Sequence, residues 1–266
     1  MIPELPEVEA MRRTLASALC EKSITDLRLA PAVSSRFGAI GNCDLVGRRL
    51  LRLERHGKVL LLHLSERMSV YIRLGMSGRL VLRPFGRRHD HFSIHFGADT
   101  CLTYNDFRRF GEVMVSRGDS NDKLRQLGPD ALSSDFRSAT LAIQTKRPIK
   151  AVLMDQKIVA GLGNIYSSES LFRAHINPCR PTKTLTTDER SAIILAIKAT
   201  LAAAIARGGS TLDDYRGTEG EAGDFERRFA VYGRVGDSCH RCGTHSRIAT
   251  TEIEQRTTYF CSTCQH

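Results

Sequence analysis

The sequence predicts an α+β protein, β-rich first and helical second, ending in a small metal-pinned hairpin. Three observations carry this expectation. Residues 24–115 alternate apolar and polar side chains in short runs separated by Gly and Asp, as half-buried strands do. After Gly128-Pro129 the apolar residues recur at helical spacing. Near the end, Cys239-His240-Arg241-Cys242 and Cys261-Ser262-Thr263-Cys264 form two Cys-x-x-Cys pairs with 18 residues between them.

Taken in chain order, Leu5 to Leu19 reads as a leading amphipathic helix. The runs Leu51-Leu53, Val59-Leu64, Val70-Leu74 and Ile94-Phe96 read as strands of a sandwich or a barrel. Arg117 to Gln144 is rich in Asp, Ser and Gly and reads as the connecting segment, with the linker between domains drawn at 131–145. Helices follow at Ala151-Met154, Ile165-Ala174 and Thr187-Ala206, the last opening on Thr187, Asp188 and Glu189, acidic where the helix dipole favours it. The domains are therefore drawn as 1–130, then 146–232 after the connector, then a hairpin at 233–266. The longest apolar stretch, Ala192 to Ala206, is broken by Lys198 and is too short to span a bilayer. Glu4, Glu7 and Glu9 stand where a secretion signal would need an apolar run, so the expected location is the cytoplasm or, in a bacterium, the nucleoid.

Charge and cysteines narrow the function. Lys and Arg number 39 against 29 Asp and Glu, a net +10. Clusters at Arg87-Arg88-His89, Arg108-Arg109, Lys146-Arg147 with Lys150, and Arg227-Arg228 suggest a polyanion partner, DNA or RNA. The four paired cysteines match one structural Zn²⁺ with no open coordination position, better than a disulfide or a thioredoxin-like redox pair. Cys20, Cys43, Cys101 and Cys179 are dispersed and read as ordinary thiols. The turn Gly161-Leu162-Gly163-Asn164 precedes a helix, with Lys157 nearby; a phosphate site with Asn164 capping and a tight helix corner fit it equally.

Several motifs follow one another in a fixed order: Pro3-Glu4-Leu5-Pro6-Glu7-Val8-Glu9; Lys58 after Arg55-His56-Gly57; Gly75-Met76-Ser77-Gly78; Tyr104 to Gly111; Leu127-Gly128-Pro129-Asp130; Gly161 to Glu169; and the cysteine pairs. Together, over residues 3–264, they resemble the formamidopyrimidine-DNA glycosylases, bacterial repair enzymes for oxidised purines. The resemblance implies an N-terminal β-sandwich with a leading helix, a helix-two-turn-helix domain and a zinc-ribbon hairpin. It implies a monomer acting on double-stranded DNA that carries 8-oxoguanine, formamidopyrimidines or abasic sites, with no membrane partner and one structural Zn²⁺. It further implies that the Pro3 amine attacks C1′ and forms a Schiff base, followed by β- and δ-elimination. Glu4 would transfer the proton at the sugar, Glu7 would orient the site, and Lys58 would donate to the leaving group or phosphate. Met76, Arg108 and Phe110 match side chains that fill the gap left by a flipped nucleotide. His89, Lys146, Lys157, Asn164, Tyr232 and Arg256 match phosphate-contacting positions, Arg256 closest to the lesion. Tyr215 to Asp224 matches a loop over the flipped base, with Thr218 to Asp224 setting lesion preference.

Three departures stand out. Ile2 lies between Met1 and Pro3, so the chain as written acylates the nitrogen that would attack. Either the start lies one codon later, or Met1 and Ile2 are removed, or the Met1 amine attacks, or the protein is a non-catalytic binder of damaged or abasic DNA. Arg73 replaces a frequent His, and Phe107 a frequent Pro.

Overall fold

A computed structural model describes residues 3–31, 37, 40, 44–118, 122–210 and 224–266. Met1, Ile2, Cys43 and residues 215–223 of the expected loop over the flipped base, including 218–223 of the expected lesion-preference segment, lie outside the described residues. The chain forms two compact units, Met1–Arg125 with Gly208–Gly223, and Gln126–Arg207 with Asp224–His266.

In the first unit, helix α1 (Leu5–Leu19) starts with Pro6 in its first turn, where its missing N–H costs nothing, and with Glu7 facing the positive helix end. Leu5, Val8, Met11, Leu15 and Leu19 recur every three or four residues and are buried. Eight strands follow: β1 (Ile24–Leu29), β2 (Leu50–His56), β3 (Val59–Leu64), β4 (Met68–Arg73), β5 (Arg79–Leu82), β6 (Asp90–Phe96), β7 (Thr100–Asn105) and β8 (Glu112–Arg117). They make two four-stranded antiparallel sheets, β1-β6-β7-β5 and β2-β3-β4-β8. Leu50, Leu62, Val70 and Ile72 of one sheet and Ile94, Leu102 and Tyr104 of the other share one core with α1. That is a β-sandwich with a leading helix. In β3 the run Val59-Leu60-Leu61-Leu62 is apolar without alternation and every member is buried, because α1 packs against β2 and β3. Truncating Leu62 there would cost about 2–5 kcal/mol.

Helix α2 (Asp122–Arg125) ends this unit's first segment. The second unit holds a short 3₁₀ turn, Ser138–Leu141, then α3 (Ile149–Met154), α4 (Asn164–Arg173) and α5 (Thr187–Ile205). Helix α5 is opened by a reciprocal cap: Glu189 N–H donates to Thr186 Oγ1 at 3.2 Å, and Thr186 N–H to Glu189 Oε2 at 2.8 Å. Four short strands close the chain: β9 (Ser238–Cys239), β10 (Gly243–Arg247), β11 (Ala249–Ile253) and β12 (Arg256–Phe260), paired as β9-β10 and β11-β12. Among the described residues no helix is long and apolar enough to cross a membrane.

Candidate active site and nucleic-acid interface

In the first unit, Pro3, Glu4 and Glu7 are all buried at the N-terminus of α1. Burying carboxylates is costly unless donors surround them. Glu7 Oε2 accepts the Glu4 backbone N–H at 3.0 Å, while Oε1 accepts the Ser210 N–H at 2.8 Å and the Ser210 hydroxyl at 3.0 Å. Glu7 thus fixes the backbone beside Pro3 and ties it to Ser210. Gly209 makes room for this: its φ is +85°, and a Cβ there would lie 2.8 Å from Glu7 Oε1.

The hairpin carrying Lys58 is held from the same helix. Arg55 donates to Glu9 Oε2 at 3.3 Å and to the Gly57 carbonyl at 3.0 Å, one residue before Lys58. Glu9 also receives Arg12 at 2.9 Å and Arg13 at 2.9 Å. Burial pushes its carboxyl up, but the bonds from Arg12 and Arg13 and the charges of Arg12 and Arg55 outweigh this and hold it at about 2. Sequence inspection missed Glu9 as an organiser. Its one signal was Arg at 12 and 13, three and four residues on, the helical ion-pair spacing.

Met76, Arg108 and Phe110 stand on two adjoining loops, 74–78 and 106–111. Arg108 and Phe110 are exposed and Met76 half-buried, with Arg108 Nη1 at 3.6 Å from Met76 Sδ. Gly75, at φ +70°, lets the backbones meet, since a Cβ there would sit 2.6 Å from the Phe110 carbonyl carbon. Between the loops lies the fully buried Asp106 carboxylate. Its Oδ1 accepts the Ser77 hydroxyl and the Arg108 N–H at 3.2 Å; its Oδ2 accepts the Tyr104 hydroxyl at 3.2 Å and the Gly111 N–H at 2.9 Å. Burial, together with the Asp106 charge, raises the Tyr104 phenol and keeps it a donor. The Asp106 backbone N–H donates to the His89 carbonyl at 3.0 Å. Phe107 is exposed, edge-on to His89 at 6.4 Å between ring centroids and 5.8 Å from the Arg108 guanidinium carbon.

In the second unit, two sequence expectations are corrected. Lys150 does not belong to a surface cluster with Lys146 and Arg147: it is fully buried, its Nζ donating to Asn164 Oδ1 at 2.5 Å and Thr258 Oγ1 at 2.7 Å. The surrounding Ile149, Ala151, Val152 and Leu153 were the available signal, since a lysine inside an apolar helix face is drawn in with it. Asn164 is not the cap of α4, a position that Gly163 takes. Asn164 instead bonds Lys150 and donates to the Thr257 carbonyl at 3.0 Å, joining the start of α4 to β12. Arg147 is paired with Asp155 at 3.0 Å and Glu254 at 3.1 Å. Lys146, Lys157 and Arg256 are exposed, and none of their side chains enters an ion pair among the described residues, though the Lys157 charge acts on Asp155.

Arg256 follows the tip of the β11-β12 hairpin, where Glu254 and Gln255 both take left-handed backbone angles, φ +47° and +60°. Two such residues form the tight turn that matches strand twist. Tyr232 is half-buried, its ring 4.9 Å from Tyr259 and 5.6 Å from Phe229 by centroids. Its N–H, with those of Ala230 and Val231, donates to the buried Glu169, which burial raises against those bonds.

The sulfurs of Cys239, Cys242, Cys261 and Cys264 all lie within 4.8 Å of one another, with Cys239–Cys264 and Cys242–Cys261 at 3.9 Å. A metal with bonds of about 2.3 Å to four tetrahedral thiolates places its sulfurs about 3.8 Å apart. The cluster therefore fits such an ion. Phe172, Val231 and Ile248 pack around it, so the site doubles as the ribbon's core.

These features define a class: an antiparallel sandwich with buried carboxylates at its N-terminal helix, and a helical unit with a metal-type ribbon and unpaired surface cations, suited to nucleic acid. The formamidopyrimidine-DNA glycosylase N-terminal domain matches residues 2–113, and the H2TH domain of the same enzymes matches residues 127–216. A formamidopyrimidine-DNA glycosylase of Laribacter hongkongensis is 38% identical over 273 residues, spanning 99% of this chain and 100% of the relative. The crystal structure of the MutM (Fpg) protein from Thermus thermophilus superposes with a TM-score of 0.89 at 36% identity, covering 99% of this chain and 98% of that one. A Lactococcus lactis Fpg mutant, solved with Fapy-dG-containing DNA, gives 0.88 at 30% identity over 99% and 100% of the two chains. The chain belongs to the formamidopyrimidine-DNA glycosylase family.

Proposed function

We infer that this protein is a DNA repair glycosylase that excises 8-oxoguanine and formamidopyrimidines from duplex DNA and cuts the strand at the resulting abasic site. The observation that carries this is the full-length membership of the family, together with buried Pro3, Glu4 and Glu7 at one helix start. In this reading the Pro3 nitrogen lone pair forms a bond to C1′, the glycosidic bond breaks with its electrons passing to the base, and a proton neutralises the departing base. Glu4 protonates the sugar oxygen as the ring opens to an iminium. Loss of a C2′ proton then expels the 3′ phosphate, and a second elimination expels the 5′ phosphate; hydrolysis returns the amine. Lys58 supplies the proton or charge at the leaving group. Glu7 acts through the backbone it holds and is a positioning residue.

Attack by Pro3 requires an unacylated nitrogen, so Met1 and Ile2 are absent from the active protein. In the duplex, Met76, Arg108 and Phe110 replace the flipped nucleotide, Arg108 pairing with the orphaned base. His89, Lys146, Lys157, Asn164, Tyr232 and Arg256 hold phosphates. Cys239, Cys242, Cys261 and Cys264 would hold one Zn²⁺, which would pin the ribbon and, bound by four thiolates, would have no open position for chemistry. The place of action is the bacterial cytoplasm, on the nucleoid, and the protein acts as a monomer.

The test is borohydride trapping on a duplex carrying 8-oxoguanine opposite cytosine, with intact mass of the protein measured alongside. A covalent adduct mapping to Pro3, on a chain lacking the first two residues, is expected. Tight lesion binding without any adduct would replace this reading by that of a damaged-DNA binder.

A further inference from the structure

We propose that Asp106 is the positioning residue that sets the whole group of duplex-reading side chains in the first unit, and so controls selectivity for duplex over single-stranded substrate and for the opposite base. The proposal rests on the roles given above to Met76, Arg108 and Phe110.

The geometry is specific. Each Asp106 oxygen faces one hydroxyl and one backbone N–H: Oδ1 has Ser77 and Arg108, Oδ2 has Tyr104 and Gly111. Ser77 neighbours Met76, and Gly111 neighbours Phe110. The Asp106 backbone holds the His89 carbonyl and, through its own carbonyl, His91 Nε2 at 2.8 Å. One fully buried residue therefore touches both loops and the segment bearing His89. Shut away from solvent, its carboxylate serves the loops and not the DNA.

An amide cannot replace it. A hydroxyl can turn round and accept from an NH₂ group, but a backbone N–H cannot. In Asp106→Asn, either orientation of the amide sets its NH₂ against a backbone N–H, that of Gly111 or that of Arg108; the Arg108 N–H also reaches Ser77 Oγ at 3.1 Å, so the amide settles with its NH₂ on that side and crowds the Arg108 loop. A loop must shift to relieve it. The shift spares chemistry at the sugar, whose residues sit at the start of α1 and on the β2-β3 hairpin. On a single strand there is no opposite base to orphan and no gap to fill.

The experiment compares wild type, Asp106→Asn, Ser77→Ala and Met76→Ala on three substrates: 8-oxoguanine opposite cytosine, 8-oxoguanine opposite adenine, and a single-stranded oligonucleotide with an abasic site. For Asp106→Asn, kcat/KM on the cytosine duplex should fall about tenfold to a hundredfold and the cytosine-over-adenine ratio should shrink, with single-strand cutting within about twofold of wild type. Ser77→Ala, which removes one donor of four, should fall between. Equal loss on single-stranded and duplex substrates would overturn the proposal, as would an unchanged Asp106→Asn ratio beside an impaired Met76→Ala. If Met76→Ala leaves duplex excision unaltered, the gap-filling assignment itself fails, and the proposal with it.

Discussion

Replacing Glu9 by Gln should both weaken the first unit and slow strand cutting. Dropping a carboxyl from 4.5 to about 2 on folding corresponds to about 3 kcal/mol of stability at neutral pH. Arg13, one of the contributing partners, is more than half exposed, so water screens its share and about 2 kcal/mol is the expected loss. The folded carboxyl is the more acidic, so this stability is complete above about pH 4.5 and disappears as pH falls toward about 2. Urea midpoints of wild type and Glu9→Gln should therefore differ by a constant amount at pH 5–8 and draw together below about pH 4, the gap falling to less than half by about pH 2.5. Other carboxylates titrate alike in both proteins and cancel. The variant also loosens the Arg55 anchor on the Gly57 carbonyl, so elimination at a preformed abasic site should slow while duplex affinity holds. A gap between the two proteins that persists undiminished at pH 2.5 would refute the ionic account of this network.

Metal removal should act on the second unit alone. A zinc chelator, or Cys264→Ser, should release the ribbon, lower duplex affinity at least tenfold by fluorescence anisotropy, and leave hydrogen exchange of the β3 and β4 amides unchanged. Glu254→Gly should relieve the left-handed strain at the hairpin tip yet break the Arg147 pair; with that exposed pair worth under about 1 kcal/mol, thermal stability should change by no more than a few degrees. Arg256→Ala should reduce the slope of log affinity against log salt by about one, read from binding at several salt concentrations. Phe107→Pro removes a ring 5.8 Å from the Arg108 guanidinium, and should change excision opposite cytosine by less than about fivefold, measured as kcat/KM.

Elements whose cause is local were readable from the chain itself. Leu5 to Leu19 forms α1 with those bounds because its apolar spacing decides its face. The cysteine pairs were readable because each Cys-x-x-Cys brings its own two sulfurs together within one short turn, leaving only the two turns to meet. What could not be read depends on partners far along the chain. Lys150 looks like surface charge until Thr258, 108 residues on, is seen to meet it. Arg147 looks free for DNA until Glu254, 107 residues on, neutralises it. Asn164 fits a cap by type, but Gly163 accepts the extended backbone that precedes the helix and Asn164 is drawn to β12. Asp106 was visible only as one letter of a motif; the four donors around it come from two loops and from Tyr104 on β7, which local patterning does not connect.

The Asp224 N–H reaches the Arg207 carbonyl at 3.5 Å, and its carboxylate meets the Arg207 guanidinium at 3.2 Å. One residue thus holds the end of α5 twice, at its backbone and at its side chain, while Ser210 is fastened separately to Glu7. The two anchors share no atom, so loosening either one leaves the other in place. A substitution at Asp224 should therefore free the end of α5 without releasing the carboxylate that holds the backbone beside Pro3.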